Sequence, residues 1–548
     1  MNNKNIRFQI LIAVTICLLS SCGAENRDSQ DDHFSSVTPT ENGNASTCEN
    51  NKSLATGTIG FLGSKKKHLQ HLVANRIQHH IQQTNMPFDW NTVDNDFFCE
   101  SLLAGDGVVT IGAKMGDDSP SAVKNLTSLE GQVRSILPPP LVFNVINTKL
   151  NFLTITLNNC DQVATLRELA TVDFMELSFG FSNITSLTNT KNRSASSLVC
   201  ESGDYSARTN VNGIDDNGKN VKPNPGLYDP DTNELSYVAY IDRVNKTVAN
   251  RMRRHNMDKV YDTYRYFGSD QVGVAVLDNG VLARKVDYLS AGSSAFSFDG
   301  YFTTPYDFKS GFDGSHPKFY DAFGLAFVTD KFGHYHGTEQ SENIYSMAPN
   351  ATRLTIRAAD FMVLYSTNQI QGVTNSIMAV ADNPSIRIVS MSMGTPFHIH
   401  SIERAIDYLV AKDKIFVAAA GTSIPEIKGL LGIVFPARLP STISVTGIRD
   451  TRDTNGEFIL GDDAHGGLQN DFVIDDANAS SPSASTFAGM LAVVWSINPS
   501  LSRDEVFAIL KESSTFYSNG GVKDTSFGWG KVDMLTATEK IISTLPAP

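Results

Sequence analysis

The second half of the chain alternates short apolar runs, rich in Val, Ile and Ala, with segments of helical period. The runs predict buried strands at residues 272–277, 354–357, 387–391, 415–420 and 443–446. Continuous apolar strands separated by helices are typical of a parallel sheet with helices on both faces. The pattern therefore predicts an α/β domain of mostly parallel strands at residues 255–542.

Helical periodicity supports this prediction. Residues 401–411 place Ile402, Ala405, Ile406 and Leu409 on one stripe, as expected for a helix on a sheet. Ser502, with Glu505 three residues later, predicts a capping box before another helix. A further helix is predicted at residues 484–497, directly after a serine-rich segment.

Residues 107–180 show a different order of elements. Strands are predicted at 108–113, 141–146, 152–157 and 172–177, and helices at 121–137 and 162–170. This βαββαβ order predicts an α+β ferredoxin-like domain. The preceding residues 54–106 have no assigned role. They include His68, His71, His79 and His80 in a helix-like stretch. A metal shared by His68 and His71 is one interpretation, and a solvated helix face is the favoured one.

The N-terminus carries an export pattern. Lys4 and Arg7 precede the apolar residues 8–19, a stretch too short to span a bilayer as a helix and typical of a signal peptide. The sequence LSSC at residues 19–22 resembles the bacterial lipoprotein box. The resemblance implies removal of residues 1–21, lipidation of Cys22 and anchoring to the bacterial cell envelope, at the outer membrane or cell surface. The alternative is an ordinary signal peptide with an incidental cysteine.

Polar segments separate these units. Residues 22–53 are too poor in large apolar side chains to form a core and predict a tether. Residues 181–254 predict a linker or surface excursion, in which Asp215-Asp216-Asn217-Gly218 is either a plain turn or a set of oxygen ligands for Ca²⁺. Four cysteines lie outside the signal peptide and the lipid site: Cys48, Cys99, Cys160 and Cys200. Four cysteines allow three different sets of disulfide pairs, and the sequence leaves all three open.

The charge balance of the chain argues against one class of binding partner. The chain of 548 residues has 58 acidic and 45 basic side chains, which give a formal charge of -13. This balance argues against a nucleic-acid partner, because such affinity comes from clustered Lys and Arg. The basic runs at residues 65–67 and 251–254 are interpreted as solvated helix faces.

Three residues are candidates for catalysis. Asp278 follows a predicted strand, His336 precedes Gly337-Thr338, and Ser481 precedes a predicted helix. Taken singly, the aspartate is usually a turn residue and the serine an N-cap. Together they form an ordered Asp, His, Ser set, and functional groups gather at the carboxyl ends of parallel strands.

The segments around these residues resemble the subtilisin-like serine peptidases, over about residues 255–540. The matching motifs are VGVAVLDNG at 272–280, HGT at 336–338, SMSMG at 390–394, AAAG at 418–421, SSPSASTFAG at 480–489 and FGWGKVD at 527–533. Subtilisin has its catalytic residues in this same order, Asp, His, Ser. The resemblance implies an Asp278/His336/Ser481 triad that hydrolyses peptide bonds through an acyl-enzyme, with no cofactor required for the chemistry and a possible structural Ca²⁺.

The resemblance also implies binding residues. The Ser481 N–H and the Thr422 side chain would hold the oxyanion, and Ser392, Met393, Gly394, Ala420 and Gly421 would contact a protein or peptide substrate. The family usually has Asn where this chain has Thr422, and Ala479 and Ser485 replace a Gly and a Pro of the serine motif. A weakened or inactive peptide-binding protein is therefore the alternative function.

Finally, residues 153–177 resemble the second half of a subtilase propeptide. The resemblance implies that the ferredoxin-like domain assists folding and inhibits the peptidase as its own propeptide. The expected partners are therefore substrates, the propeptide and, through Cys22, a membrane.

Overall fold

The structure is a computed structural model that describes residues 62–177 and 237–546. Within those ranges it leaves out residues 85–86, 117–118, 138, 140, 281–318, 322–335, 360, 365 and 424–431. The predicted signal peptide, tether, Asp215–Gly218 turn, Cys48 and Cys200 lie outside the described residues. In the part of the chain that is described, no helix combines the length and the apolar character that a membrane span requires.

The N-terminal unit, residues 62–177, is built on a four-stranded antiparallel sheet. Its strands follow the order β2-β3-β1-β4, which is the strand order of the ferredoxin-like βαββαβ arrangement. The elements are α1 Leu62–Thr84, α2 Asn95–Ala104, β1 Val108–Ala113, α3 Ser119–Ile136, β2 Phe143–Asn147, β3 Phe152–Thr156, α4 Val163–Arg167 and β4 Val172–Leu177. The predicted order of strands and helices is thus present.

Helices α1 and α2 share a core with this sheet. Val73 of α1 and Phe98 of α2 are buried in the same apolar cluster as Ile111 and Leu153 of the strands. A disulfide joins Cys99 to Cys160, a pairing that the sequence alone left open. Residues 62–106, predicted as a separate region, therefore pack as part of the N-terminal unit.

The second unit contains an eight-stranded sheet of order β11-β10-β9-β8-β5-β7-β6, with β12 paired to β10. Every pair is parallel except β10 with β11. The strands are β5 Gly273–Asp278, β6 Phe319–Asp321, β7 Arg353–Arg357, β8 Ile386–Met391, β9 Ile415–Ala419, β10 Ile443–Arg452, β11 Phe458–Leu460 and β12 Phe472–Asp475. The predicted, mostly parallel α/β fold is confirmed.

Helices cover both faces of this sheet. They are α5 Tyr237–Val244, α6 Lys246–Arg254, α7 Met257–Tyr264, α8 His336–Met347, α9 Thr367–Asp382, α10 His400–Val410, α11 Ser480–Trp495, α12 Arg503–Glu512, α13 Thr515–Ser518 and α14 Met534–Ser543. Alternate residues of β5 enter different cores: Ala275 and Leu277 face one, and Val274 and Val276 the other. Both sides of a strand are therefore buried, which explains its continuous apolar run.

One predicted boundary is wrong. The sequence pattern places residues 237–254 in the linker, but they form α5 and α6, whose Tyr237, Val248 and Met252 are buried in a core of the second unit. The predicted solvated face of 251–254 is also wrong for Arg251, which is 2% exposed and donates through Nε to the Asp476 carbonyl at 2.9 Å. Helix α6 is strongly amphipathic, and its apolar stripe carries Arg251 inward with Val248 and Met252.

Candidate active site

Asp278 and His336 form a buried pair at the carboxyl end of β5. Asp278 Oδ1 lies 2.8 Å from His336 Nδ1, and both side chains are at most 1% exposed. The same Oδ1 accepts a hydrogen bond from the Asn279 N–H at 2.8 Å. The aspartate thus lies at the carboxyl end of β5, next to His336, which is the first residue of α8.

Asn279 and Gly337 bring the two chain segments together. Asn279 Oδ1 accepts the Gly337 N–H at 3.0 Å. A Cβ on Gly337 would lie 2.1 Å from the Gly280 carbonyl oxygen and 3.0 Å from Asp278 Cβ. Glycine is therefore required beside His336, because any side chain would push α8 away from the aspartate. Asn279 was not predicted as a site residue, although its place beside Asp278 in the sequence was a signal.

The environment of His336 suits a general base. Burial opposes the charged form of the imidazole, but the Asp278 carboxylate outweighs it through charge and hydrogen bonding, so that the pKa of His336 is raised. Its Nε2 atom is buried and has no hydrogen-bond partner among the described residues. Because Nδ1 faces Asp278, Nε2 is the nitrogen left to exchange a proton with another group.

Ser481 lies in the first turn of α11. The helix begins at Ser480, and its N-cap is Ala479, which provides no side-chain cap. The prediction that this helix begins at residue 484 is therefore wrong, and Ser481 is not an N-cap. Placed at the positive end of a helix of 16 residues, Ser481 and its own N–H lie where the dipole favours negative charge.

The packing of α8 on α11 aligns His336 with Ser481. Ser485, one turn after Ser481, donates to Oε1 of Gln340, one turn after His336, at 2.8 Å. One turn further, a Cβ on Gly489 would lie 3.2 Å from Ile344 Cα. Extended back by one turn, the same register pairs the helix position of Ser481 with that of His336, at the N-terminal ends of the two helices. Gly489 therefore packs against α8.

Thr422 lies beside Ser480 at the floor of the site. Its Oγ1 accepts the Ser480 N–H at 3.2 Å and lies 2.9 Å from Ser480 Oγ. Ser480 Oγ also accepts the Gly421 N–H at 3.1 Å. The hydroxyl that was predicted to hold an oxyanion thus bonds the residue before the candidate nucleophile. Ser480 was not singled out from the sequence, because a serine beside Ser481 carries no separate signal.

A cleft opens next to Ser481 and contains most of the predicted binding residues. Its lining comprises Met362, Val363, Ser392, Met393, Gly394, Thr395, Pro396, Ala419, Thr422, Val434, Ser480 and Ser481. Ser392 also contacts the first turn of α11, since its Oγ donates to the Ser481 carbonyl at 3.1 Å. The structure therefore brings Ser392, Met393 and Gly394 to the site.

The backbone of three predicted substrate-binding residues is already bonded inside the protein. The Gly394 N–H donates to Met362, and its carbonyl accepts from Leu364. Ala420 bonds Val445 and Val434 in the same way, and the Gly421 carbonyl accepts from His465. These backbone groups are therefore occupied by hydrogen bonds within the protein. The pairing of residue 394 with residues 362–364 was missed because it joins segments about 30 residues apart in the sequence.

The comparison with protein families covers this site. Residues 269–530 match the model of the Subtilase family. These residues belong to the subtilase family. The match spans all three candidate catalytic residues and every lining residue of the cleft.

One curated relative matches part of the subtilase domain at low identity. Alkaline elastase YaB of Bacillus sp. (strain YaB) is 27% identical over 223 residues, which cover 38% of this chain and 56% of that protein. The chain thus spans little more than half the length of this curated relative.

Solved structures also match. Fervidolysin from Fervidobacterium pennivorans, described as a keratinolytic enzyme related to subtilisin, is 15% identical with a TM-score of 0.49, over 81% of this chain and 61% of that one. The epidermin leader peptide processing serine protease of Staphylococcus aureus is 14% identical with a TM-score of 0.47, over 81% of this chain and 100% of that one.

Proposed function

We propose that this chain is a serine endopeptidase with Ser481 as nucleophile, His336 as general base and acid, and Asp278 as the residue that orients His336. The observation that carries the proposal is the buried 2.8 Å bond between Asp278 and His336 Nδ1, combined with the helix register that pairs the position of Ser481 with that of His336. A base held by a carboxylate on one nitrogen and directed at a serine with the other is the arrangement that activates a hydroxyl.

The reaction follows from this arrangement. His336 Nε2 accepts the Ser481 proton as Oγ attacks the scissile carbonyl, and the imidazolium then returns that proton to the leaving amine. Water repeats the sequence in the second step: His336 takes its proton, the hydroxide oxygen attacks the acyl-enzyme, and Ser481 leaves with the proton. Asp278 stabilises the imidazolium in both steps.

The Ser481 N–H at the start of α11 is the proposed first donor to the oxyanion. Thr422 is the proposed second donor: its hydroxyl can donate a hydrogen bond to the oxyanion while Oγ1 accepts one from Ser480 Oγ, 2.9 Å away. A donor of this kind contributes about 10²- to 10³-fold to the rate, a magnitude that comes from the side-chain donor of subtilisin.

Fluorophosphonate labelling tests the peptidase proposal. We expect the probe to label the wild-type chain, once the N-terminal unit has been removed, and to leave Ser481→Ala unlabelled. Ser496→Ala, at the other end of α11, is the matched control and should be labelled like wild type. A wild-type protein that resists labelling under these conditions would contradict the proposal and favour the alternative of a peptide-binding protein without turnover.

We further propose that the N-terminal unit is a propeptide that folds with the subtilase domain and inhibits it. The support is its docking on α10: the buried Glu176 carboxylate accepts the backbone N–H groups of His400 at 2.7 Å and Ser401 at 3.3 Å. Cleavage is expected between Leu177, where β4 ends, and Gln271, shortly before β5 begins. Intact-mass analysis of active protein reveals such a cut, and activity in an uncut chain would contradict the propeptide role.

We propose that the protein is exported and anchored at the bacterial envelope through a lipid on Cys22. The motif at residues 19–22 and the apolar residues 8–19 support this proposal. Cys22→Ala should shift the protein from the membrane to the soluble fraction, because stable anchoring depends on acyl chains. Cys17→Ala, inside the apolar stretch, is the matched control. Membrane retention of Cys22→Ala would argue against the lipid site.

A further inference from the structure

Three side chains with metal-binding chemistry converge where the N-terminal unit meets the subtilase domain. They are His398, His400 and Glu403, whose ligand atoms all lie within 4.8 Å of one another. The side chains are 20–31% exposed, so the group is partly shielded but open to a solvent ion. In the part of the chain that the structure describes, this is the only such group of three.

The local backbone explains the convergence. His398 and His400 flank Ile399, the N-cap of α10, whose backbone is extended, and the centroids of the two imidazole rings lie 4.4 Å apart. Glu403 lies three residues after His400 and therefore on the same helix face. Glu403 Oε2 is 2.7 Å from His398 Nε2 and 3.5 Å from His400 Nδ1. Ligands of a tetrahedral zinc ion are about 3.3 Å apart, given bond lengths near 2.0–2.2 Å.

The other nitrogen of His400 is held by the N-terminal unit. His400 Nε2 lies 3.1 Å from Asp89 Oδ1, and the imidazole stacks on Phe174 with ring centroids 4.9 Å apart. A metal-binding histidine almost always donates its second ring N–H to a carboxylate or carbonyl, which fixes the ring and its tautomer. Asp89 provides this contact and leaves Nδ1 as the coordinating nitrogen.

The segment that carries His398 is also held by the N-terminal unit. The His398 N–H donates to the Phe88 carbonyl at 2.9 Å, and the Phe88 N–H donates to the Pro396 carbonyl at 2.8 Å. The backbones on which Asp89 and His398 are built are therefore fixed relative to each other. Ligands that the fold already holds in place spare a metal ion the free energy of ordering them.

We propose that His398 Nε2, His400 Nδ1 and the Glu403 carboxylate bind a divalent transition-metal ion of the zinc class, with Asp89 of the N-terminal unit as the residue that positions His400. Two imidazoles and one carboxylate suit Zn²⁺ better than Mg²⁺ or Ca²⁺, which prefer oxygen ligands. Water would complete the coordination. Binding of the ion would displace any proton from His398 Nε2 and His400 Nδ1, the two nitrogens that face Glu403.

The proposed ion would link the two units. Because Asp89 belongs to the N-terminal unit and all three ligands belong to the subtilase domain, docking of that unit strengthens the site. By thermodynamic linkage, bound metal then stabilises docking by the same factor. Second-sphere carboxylates of this type contribute about 10- to 100-fold to metal affinity.

Zinc titration of the full-length chain tests the proposal, independently of peptidase activity. The Ser481→Ala background keeps the two units joined whether or not the wild type cuts itself. Against a competing chromophoric chelator, we expect one Zn²⁺ per chain. Asp89→Asn should weaken binding about 10- to 100-fold, and His398→Ala and Glu403→Gln should weaken it further. Zn²⁺ should also raise the unfolding temperature of the parent chain but not of Glu403→Gln.

Controls separate this site from other histidines. His79→Ala, an exposed residue of α1, should bind like the parent. Circular dichroism of the near-isosteric Glu403→Gln shows whether its fold is intact, and an intact fold assigns its loss of affinity to the ligand. Parent-like affinity in both His398→Ala and Glu403→Gln, or loss of binding in a His68→Ala/His71→Ala variant instead, would overturn the proposal.

Discussion

At the scale of single residues, burial and one charged partner set the chemistry of the site. Asp278 is a common type of turn residue when judged from sequence, yet in the structure it is completely buried and bonded to His336. Arg251 shows the same principle outside the site, because its place in a basic run suggested solvent while its helix face carries it inward. Residue type therefore limits the possible roles, and the packed environment selects one of them.

The raised pKa of His336 predicts the acid limit of activity. His336 must be neutral to accept the Ser481 proton, so kcat/KM should fall as the pH drops through a pKa above the ordinary value of about 6.5. Asp278→Asn removes the charge that raises this pKa. It should move the acid limb to lower pH and reduce kcat by about 10⁴-fold. The pH profile of kcat/KM for both proteins measures this, and an acid limb that does not move would contradict the assigned role of Asp278.

At the scale of elements, two helices determine whether the candidate triad assembles. Helices α8 and α11 approach so closely that a Cβ on Gly489 would lie 2.6 Å from Met347 Cβ and 3.2 Å from Ile344 Cα. The contact between Ser485 and Gln340 sets the register of the same pair. Small or polar residues one and two turns after Ser481 thus place the serine relative to His336.

Gly489→Ala tests this alignment. The added methyl group has no space, so we expect a loss of about 1–3 kcal/mol in the free energy of unfolding. We also expect a reduced kcat, because α11 must shift away from α8. The matched control is Gly131→Ala in α3, where a Cβ meets nothing within 4 Å and where alanine should stabilise the helix by about 0.5–1 kcal/mol. Chemical denaturation measures both, and an unchanged Gly489→Ala protein would argue against the close helix contact.

At the scale of the whole molecule, the N-terminal unit and the subtilase domain share an interface centred on α10. Arg404 is the main connector: its guanidinium donates to the carbonyls of Leu150, Asn151 and Ala113 at 2.8–2.9 Å and to Asp173 Oδ2 at 2.6 Å. A second contact joins Lys149 to Asp382 at 2.6 Å. Because the Arg404 side chain is mostly buried, its bonds should contribute more to the free energy of docking than an exposed ion pair does.

Arg404→Ala should loosen the N-terminal unit. It removes the one side chain that donates to three carbonyl groups and to the Asp173 carboxylate, which we expect to weaken docking by about 2–5 kcal/mol. Hydrogen exchange of the full chain should then show faster exchange in residues 108–177, while the sheet of the subtilase domain keeps its protection. Arg449→Ala, which removes an exposed ion pair with Asp462, is the control. Equal exchange in the two variants would contradict this account of the interface.

The sequence by itself determined the period-based features of this protein. The βαββαβ order, the buried parallel strands and the capping box at Ser502 follow from local patterns, because periodicity and capping involve neighbouring residues. The motifs around Asp278, His336 and Ser481 indicated the family for the same reason. Each is a short segment at the end of a strand or at the start of a helix.

Only the tertiary structure decided which distant residues meet. The Cys99–Cys160 disulfide, the occupied backbone of Gly394 and the bonds between Thr422 and Ser480 all join segments separated by about 30 to 60 residues. The group of His398, His400 and Glu403 needed Asp89 from another unit to become a candidate metal site. Such contacts depend on how the elements pack, and packing is set by shape and burial across the whole molecule, which no local pattern of residues records.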